Sequence, residues 1–418
     1  MFKRVFFTSL FLISTNFFSQ TTAVSPFSFT GFGEKSFKGN SINRFMGGID
    51  LFTDSIHTNL KNPAGYAKLK VTAYSLGLNY NEINLKKTNF SNENLRSASL
   101  EYFSVAIPTK KFGFGFGIVP YSSVGYKLES KEDTQNPVLR RFNGSGGINK
   151  AFFSLGFNLT SFFSFGATFN YNFGKIISEI SENTSELNYG TYLENSSYFS
   201  GFDYQLAANL TFNLKNNFEL QSYLSISPVA NLISKNSRII YTRSINNQSI
   251  GDFREINLNL YNLEKINIKT FSYLDVGLGF GKKLKWSIGG QYTLVDTSNY
   301  KNDFLNYTNL NYSKGYKISM GGFYIPNYLS ISEYWKRVAY RAGLRIERQG
   351  ILVNNSYLIE KAFSFGISLP VAGYSNTNIG FEIGERGTQE NSLFKETFWS
   401  IRLGFSLIDI WFIKRKYN

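Results

Sequence analysis

Long runs in which large apolar residues alternate with small polar ones restrict the fold of this sequence more than any other feature. From Phe163 to Gly174, apolar residues alternate with serine, glycine, threonine and asparagine, and the pattern recurs from Phe202 to Leu214. Successive side chains of a β-strand point to opposite faces, so each run predicts a strand with one apolar and one polar face. Shorter runs of the same kind lie at 112–118, 274–280, 286–294, 363–369 and 399–407.

The length of the runs and the composition of their polar face favour a barrel over a β-sandwich, which also alternates. Many runs cover the roughly 9–11 residues that a tilted membrane-crossing strand needs. Their polar face is rich in Gly, Ser, Thr and Asn, which suits a hydrophilic lumen, and a sheet in a membrane must close to satisfy its edges. We predict an all-β fold, a 14-stranded antiparallel transmembrane β-barrel, with strands near 69–81, 95–107, 112–120, 148–159, 162–175, 199–214, 217–227, 268–281, 284–297, 314–325, 335–348, 356–369, 376–386 and 396–412.

The predicted connections alternate between tight turns and long polar stretches, as short periplasmic turns and long extracellular loops do in bacterial barrels. Tight turns are expected at 109–111, 160–161, 215–217 and 282–283, and long loops at 121–147, 176–197, 227–269 and 297–314. The third of these loops is expected to hold an extra hairpin made of 238–245 and 256–263. Within strand 95–107 the outward face is ambiguous, with Leu100 and Tyr102 on one side and Phe103, Val105 and Ile107 on the other, and a β-bulge there would reconcile them.

The chain begins with the features of an export signal. Lys3 and Arg4 precede an apolar run from Val5 to Phe18, which is shorter than the roughly 20 residues that a membrane-spanning helix needs. Aromatic residues make up 17% of the sequence, with 42 Phe and 27 Tyr, a surplus that the aromatic girdles of a barrel would use. We therefore expect a signal peptide at 1–20, a location in the cell outer membrane, and a last strand that ends on the aromatic pair Trp411-Phe412.

Composition disfavours several other function classes. The sequence contains no cysteine, which excludes a disulfide framework and thiolate metal sites, and its one histidine, His57, lies far from the partners of a catalytic or metal site. The formal charge of +15 is not concentrated in a basic helix or a basic–aromatic module, so we expect no nucleic-acid partner. The expected partners are outer-membrane lipid and lipopolysaccharide facing a basic rim. We predict no enzyme activity, no catalytic residue, no metal and no cofactor.

Residues 21–68 do not alternate like the strands, and they form a separate region before the barrel at 69–418. Apolar residues such as Ile42, Phe45 and Phe52 argue against a disordered tail, because disordered segments are poor in them. We therefore predict that 21–68 folds into the lumen as an N-terminal hatch or plug.

Two stretches of this region, Asn43-Arg44-Phe45-Met46-Gly47-Gly48 and Asn62-Pro63-Ala64-Gly65-Tyr66-Ala67, resemble the FadL/TodX family of outer-membrane transporters for hydrophobic compounds. The stretches 120–126, 144–150 and 411–416 resemble a FadL-like branch of outer-membrane proteins. The resemblance implies a 14-stranded barrel plugged by a hatch, whose motif would comprise Gly47, Gly48, Asn62, Pro63 and Ala64. None of the family's ligand-pocket residues can be matched to this sequence.

Alternation places several charges on the lumen face of the last strands, because Arg or Lys on the lipid face at mid-depth would cost about 2–4 kcal/mol. We expect these side chains to hold the hatch through Glu34, Asp50 or Asp54, the alternative being a solvated network without a gating role. The lumen charges are Arg341, Arg345, Glu347, Glu382 and Arg402.

The family resemblance implies passage of small hydrophobic, fatty-acid-like compounds, gated by the hatch. The alternative is a structural or secretion-accessory barrel, similar to PorV, that binds a partner protein of a secretion system. A general diffusion porin is disfavoured because the predicted plug would close its lumen.

Overall fold

The computed structural model describes residues 24–37, 39–86, 92–109, 111–131, 138–184, 187–244, 250–307, 309–371, 375–389 and 394–409. The predicted signal peptide and the aromatic pair Trp411-Phe412 lie outside these residues. No helix of the described ranges is long and apolar enough to cross a membrane. The helices are α1 (Ser41–Phe45), α2 (Tyr334–Arg337) and 3-10 helices at Pro26–Phe29, Pro63–Lys68, Lys215–Asn217 and Leu258–Tyr261.

The strands are β1 (Glu34–Lys35), β2 (Thr72–Lys86), β3 (Glu93–Pro108), β4 (Phe112–Lys131), β5 (Val138–Asn158), β6 (Phe163–Thr184), β7 (Tyr189–Asn213), β8 (Phe218–Ser227), β9 (Asn231–Ser244), β10 (Ile250–Glu255), β11 (Lys265–Lys269), β12 (Ser272–Lys282), β13 (Trp286–Asp296), β14 (Leu310–Tyr312), β15 (Lys314–Tyr324), β16 (Ala339–Val353), β17 (Ser356–Pro370), β18 (Asn376–Gly387) and β19 (Lys395–Asp409).

The strands form a closed 14-strand antiparallel barrel, which confirms the predicted fold class. Its wall consists of β2 to β8, β12, β13 and β15 to β19. The last strand pairs with the first of the wall, from Asp409↔Thr72 to Lys395↔Lys86. Closure gives every wall strand two neighbours, which a sheet in hydrocarbon requires. The end with the tight connections after β3, β5, β7 and β12 is termed the turn end here, and the opposite end the loop end.

Side chains of the wall alternate between an apolar outer face and a polar lumen face. On β6, Phe169 and Tyr171 are exposed on the outside, whereas Asn170 and Asn172 are buried in the lumen. The small lumen-facing residues leave room for the N-terminal segment inside the barrel.

Two stretches predicted as loops, 121–147 and 176–197, are mainly strand. β4 continues to Lys131 and β5 starts at Val138, while β6 continues to Thr184 and β7 starts at Tyr189. The prediction was wrong because it followed apolar alternation. These parts of the strands keep their backbone pairing but show no clear alternation of apolar and polar residues.

The polar stretch 227–269 contains the predicted extra hairpin, but its second strand lies elsewhere. β9 covers most of the predicted first strand, and it pairs with β10 rather than with 256–263. The predicted second strand instead holds the 3-10 helix Leu258–Tyr261, which Asn262 ends with a left-handed backbone, φ 55°. β11 then pairs with β9 from Lys265↔Lys235 to Lys269↔Asn231.

The predicted β-bulge in β3 is confirmed. Gly77 faces Tyr102 and Leu78 faces Leu100, so Glu101 has no partner on β2. The extra residue places Leu100 and Phe103 on the same outer face, 50% and 44% exposed, and turns Tyr102 into the lumen.

Candidate functional site

Residues 24–68, termed the lumen segment, run through the barrel from the loop end to the turn end. At the loop end, Ser25 Oγ donates to Glu396 Oε1 at 2.6 Å. At the turn end, Tyr66 is buried against Gly113 and Gly115 of β4. The segment therefore contacts the wall at both ends of the lumen.

Gly47 and Gly48, the first part of the predicted hatch motif, form a turn that touches the wall backbone. Their φ angles are 71° and 77°, in the left-handed region that favours glycine. A Cβ atom on Gly343 of β16 would lie 2.2 Å from Gly47 N, and Gly47 N donates to Ser364 Oγ at 3.0 Å. Glycine on both sides therefore lets two backbones approach each other.

Asn62, Pro63 and Ala64, the second part of the motif, pack against the opposite wall. Asn62 Nδ2 donates to Asp50 O at 3.0 Å and to Asn209 Oδ1 of β7 at 3.1 Å. Pro63 begins a 3-10 helix, where its missing N–H costs nothing, and a Cβ on Gly166 of β6 would lie 2.3 Å from its carbonyl carbon. This part of the segment is also fixed by glycine in the wall.

The lumen charges form a buried network with the lumen segment, but with a different pairing from the one predicted. Arg44 Nε lies 2.6 Å from Glu382 Oε2, so the lumen segment supplies the cation and β18 the carboxylate. Glu34 does bind a wall arginine, but this is Arg386 at 2.9 Å. Neither Arg44 nor Arg386 was among the residues predicted for this network.

The other two carboxylates expected to meet the lumen arginines pair within the lumen segment instead. Asp50 binds Lys61 Nζ at 2.7 Å, and Asp54 binds His57 Nδ1 at 2.6 Å. The Asp54 carboxylate is half exposed, and the His57 ring together with the N–H groups of Ile56 and His57 holds its pKa below the ordinary value. Burial by itself would lower the pKa of Lys61. The Asp50 carboxylate has the larger effect, so the pKa of Lys61 is raised.

The structure separates the five predicted lumen charges into two groups. Arg345 contacts Glu382 at 3.3 Å and also Glu360, and Arg402 contacts Glu101 at 2.8 Å, so these join the network. Arg341 instead donates to Ser368 near the turn end, and Glu347 lines the cavity described next. Alternation could have identified Glu360 and Arg386, which share the lumen face of Glu382, but the bulge hid Glu101.

A cavity of about 250 Å³ remains between the lumen segment and the wall. The lumen segment contributes Lys35, Phe37, Arg44, Leu60 and Lys61 to its lining. Burial lowers the pKa of Lys35 to about 8, against the opposing effect of Glu347, and Lys35 Nζ has no hydrogen-bond partner among the described residues. The cavity therefore combines apolar surface with charge.

The cavity reaches a gap in the wall between β3 and β4. These strands pair only from Phe103↔Ile118 to Pro108↔Gly113, so within their described residues the half of β3 nearer the loop end is unpaired with β4. The lateral gap is flanked by Ser97, Ser99, Leu100 and Glu101 on β3, and by Val119, Pro120 and Tyr121 on β4. Proline cannot donate to a ladder and belongs at edges and bulges, so Pro120 was the sequence signal that could have identified the gap.

The lumen segment binds the free edge of β4 beside the gap. In β1, Glu34 pairs with Ser123 and Lys35 with Ser122, and Ser36 N donates to Tyr121 O at 3.1 Å. This short antiparallel strand satisfies backbone groups that β3 leaves free.

An aromatic cluster anchors the lumen segment between β1 and the loop end. The ring of Phe32 is almost fully buried, and its centroid lies 4.9 Å from that of Tyr300 and 5.6 Å from that of Phe271 in edge-to-face geometry. Phe199 and Tyr121 complete the contacts at 5.8 and 6.0 Å. The lumen segment thus fills the apolar part of the lumen near the loop end, which is termed the upper lumen.

Solved structures of outer-membrane channels share this fold. The Pseudomonas putida toluene transporter TodX aligns with a TM-score of 0.60 and 15% identity, over 91% of this chain and 100% of that one. The monoaromatic hydrocarbon channel CymD aligns with a TM-score of 0.55 and 12% identity, over 90% and 98%. A Pseudomonas aeruginosa FadL homologue gives 0.53 and 11%, over 91% and 100%. At these identities the likeness establishes the fold, which confirms the structural side of the FadL/TodX resemblance.

No curated protein matches this sequence. One family model does match it, over residues 1–418, and its description is BamG. A match over the full length shows family membership, so the chain belongs to the BamG family, with a barrel of the FadL and TodX fold.

Proposed function

We propose that this barrel is an outer-membrane channel for the uptake of small, mainly hydrophobic compounds. The observation that carries the proposal is the lateral gap between β3 and β4, which is continuous with the lumen cavity. Structural neighbours described as a toluene transporter and a monoaromatic hydrocarbon channel support the compound class.

The route runs from the loop end into the cavity and then sideways through the gap. The lumen segment blocks the direct path, because Gly47 and Pro63 touch the wall backbone at opposite sides of the barrel. Leu100 and Val119 give the gap an apolar border, so a compound leaving there meets the hydrocarbon of the membrane.

The charged lining favours a compound that carries one polar group. A purely apolar ligand would leave buried charges without compensation, which is unfavourable. Lys35 Nζ has no hydrogen-bond partner in the described ranges, and it lines the cavity together with Glu347. We expect a small aromatic or aliphatic body with a carboxylate or hydroxyl group.

Narrowing the gap tests this proposal. Ser99→Trp places an indole at the border of the gap, and it should reduce uptake of 4-methylbenzoate into proteoliposomes at least tenfold. Thr160→Trp, in the exposed turn after β5, is the matched control and should transport as the wild type does. Equal uptake by both variants would rule out the lateral route, and uptake no faster than through empty liposomes would rule out the channel.

One observation favours the second candidate function, a barrel that binds a partner protein. The connection between β15 and β16 is pinched where Asn327 N donates to Lys336 O at 2.8 Å. Beyond this neck Leu329 and Ile331 are 80% and 95% exposed, and apolar residues so exposed on one loop are typical of interaction surfaces. A stoichiometric complex that Leu329→Ser with Ile331→Ser abolishes, without loss of folding, would support this function.

A further inference from the structure

Three lysines lie in one transverse row on the outer face of the barrel, on neighbouring strands. Lys175 of β6 faces Tyr198 of β7, Tyr198 faces Lys235 of β9, and Lys235 faces Lys265 of β11. Neighbouring strands lie about 4.8 Å apart, so this lysine row spans about 14 Å. Lys269 adds a fourth exposed lysine on the same face of β11.

The burial of neighbouring residues shows to which side of the wall the side chains of the row point. Ile176, Phe199 and Ile268 are buried in the aromatic cluster that surrounds Phe32 inside the lumen. Because strand side chains alternate, Lys175, Tyr198 and Lys269 must point outward. Tyr198 is half exposed, in agreement with that direction.

The positive charge of the row is not neutralised by the protein. No carboxylate of the described residues lies within ion-pair distance of Lys175, Lys235 or Lys265. Lys235 and Lys265 are directly opposite on paired strands, and like charges in such positions repel each other and destabilise the pair. Lys175 Nζ lies 4.8 Å from the centroid of the Tyr198 ring, a cation–π contact that leaves the charge in place.

Two other cations on the outer surface are matched with acids. Lys395 Nζ lies 2.8 Å from Glu385 Oε2, and Arg141 Nε lies 2.6 Å from Glu129 Oε1. The contrast shows that the chain can neutralise such positions, and that the sector of β6, β9 and β11 keeps its surplus charge.

An apolar surface adjoins the row on its turn-end side. Phe173 and Tyr171 follow Lys175 on the outer face of β6, and Phe202 pairs with Tyr171 with ring centroids 5.0 Å apart. Phe202 is 73% exposed. The outer face therefore changes here from hydrocarbon-facing rings to cations, which matches the boundary between acyl chains and headgroups.

We propose that the lysine row binds the phosphate groups of a phosphorylated glycolipid in the outer leaflet. The ammonium groups donate to phosphate oxygens, which relieves the repulsion between Lys235 and Lys265. The acyl chains of the same molecule pack on Tyr171, Phe173 and Phe202. This site is separate from the lumen cavity, so it does not depend on transport.

The test uses the full mature chain in nanodiscs of zwitterionic lipid, with lipid A as the probe and native mass spectrometry as the readout. Each lysine near an anionic headgroup contributes about fivefold in affinity, so the triple variant Lys175→Gln, Lys235→Gln, Lys265→Gln should bind lipid A about 100-fold more weakly. The matched control Lys361→Gln, on the outer face of β17 beside Glu385, should bind as the wild type does.

Two further arms separate the proposal from its alternatives. Lys235→Glu should pair with Lys265, so it should keep the wild-type melting temperature in detergent while it loses lipid A. Lipid A without its phosphates should bind the wild type no better than it binds the triple variant. Equal retention of lipid A by the triple variant, or full displacement by an equimolar amount of inorganic phosphate, would overturn the assignment.

Discussion

Arg44 of the lumen segment and Glu382 of β18 form a bidentate ion pair inside the barrel. Arg44 Nη2 donates to Oε1 at 2.7 Å, Nε lies 2.6 Å from Oε2, and Glu382 is 1% exposed. Arg345 contacts the same carboxylate, so Glu382 connects the lumen segment to the wall network. Removing the charge of Glu382 would therefore break the ion pair that joins Arg44 to the wall.

Replacing Arg44 with Met should loosen the lumen segment. Glu382 would keep only its wall arginines, and breaking a buried pair of this kind costs about 3 kcal/mol. We expect a lower melting temperature in detergent and more frequent open events in planar-bilayer recordings. Arg96→Met, which breaks the exposed rim pair with Glu82, should change stability by less than about 1 kcal/mol. Equal effects of both variants would contradict the role of the buried pair.

Adding one methyl group at Gly343 should displace the lumen segment from the wall. The new Cβ would lie 2.2 Å from both Gly47 N and Met46 C, which are backbone atoms that cannot turn aside. Gly343→Ala should therefore make residues 24–68 accessible to a protease added to the detergent-solubilised barrel. Gly290→Ala is the control, since its nearest atom would be Ser319 O at 3.8 Å. Protection unchanged in Gly343→Ala would mean that the Gly47 turn does not hold the segment.

Phe32 should act as the apolar anchor of the segment. Deleting a fully buried phenylalanine side chain costs about 3–5 kcal/mol, because transfer and cavity terms add. Phe32→Ala should raise hydrogen exchange in residues 24–37 and enlarge the upper lumen, which increases uptake of small aromatic probes. Phe202→Ala removes an equally large ring from the outer face, and it should leave both quantities unchanged.

Stability of the lumen segment should rise with pH above neutrality because of Lys35. Burial lowers the pKa of Lys35 from 10.5 to about 8 in the folded chain, so between these values the unfolded state binds more protons. The folded state therefore gains stability as pH rises from about 8 to 10.5. Thermal unfolding of the wild type and of Lys35→Met over this range should show the gain only in the wild type. Parallel curves would mean that Lys35 is solvated in the folded state.

Sequence periodicity was sufficient to predict the number of strands in the wall of the barrel, because the two faces of each strand are in different surroundings. In runs such as Phe163 to Gly174, the large apolar residues face lipid and the small polar residues face the lumen. The same signal failed between residues 121 and 147, where β4 and β5 stay paired without a clear alternation to mark them. It succeeded for the bulge in β3, because the apolar face visibly changed sides between Leu100 and Phe103.

The sequence by itself determined the closed 14-stranded barrel and the polar lumen face of its alternating strands, since both follow from local alternation of apolar and polar residues. Only the tertiary structure decided that Arg44 meets Glu382, that Glu34 meets Arg386, and that β3 parts from β4 beside Pro120. These contacts join residues hundreds of positions apart, or depend on where a ladder stops. A shift of two residues in register would keep every side chain on its own face and still exchange these partners, so alternation alone does not select the register.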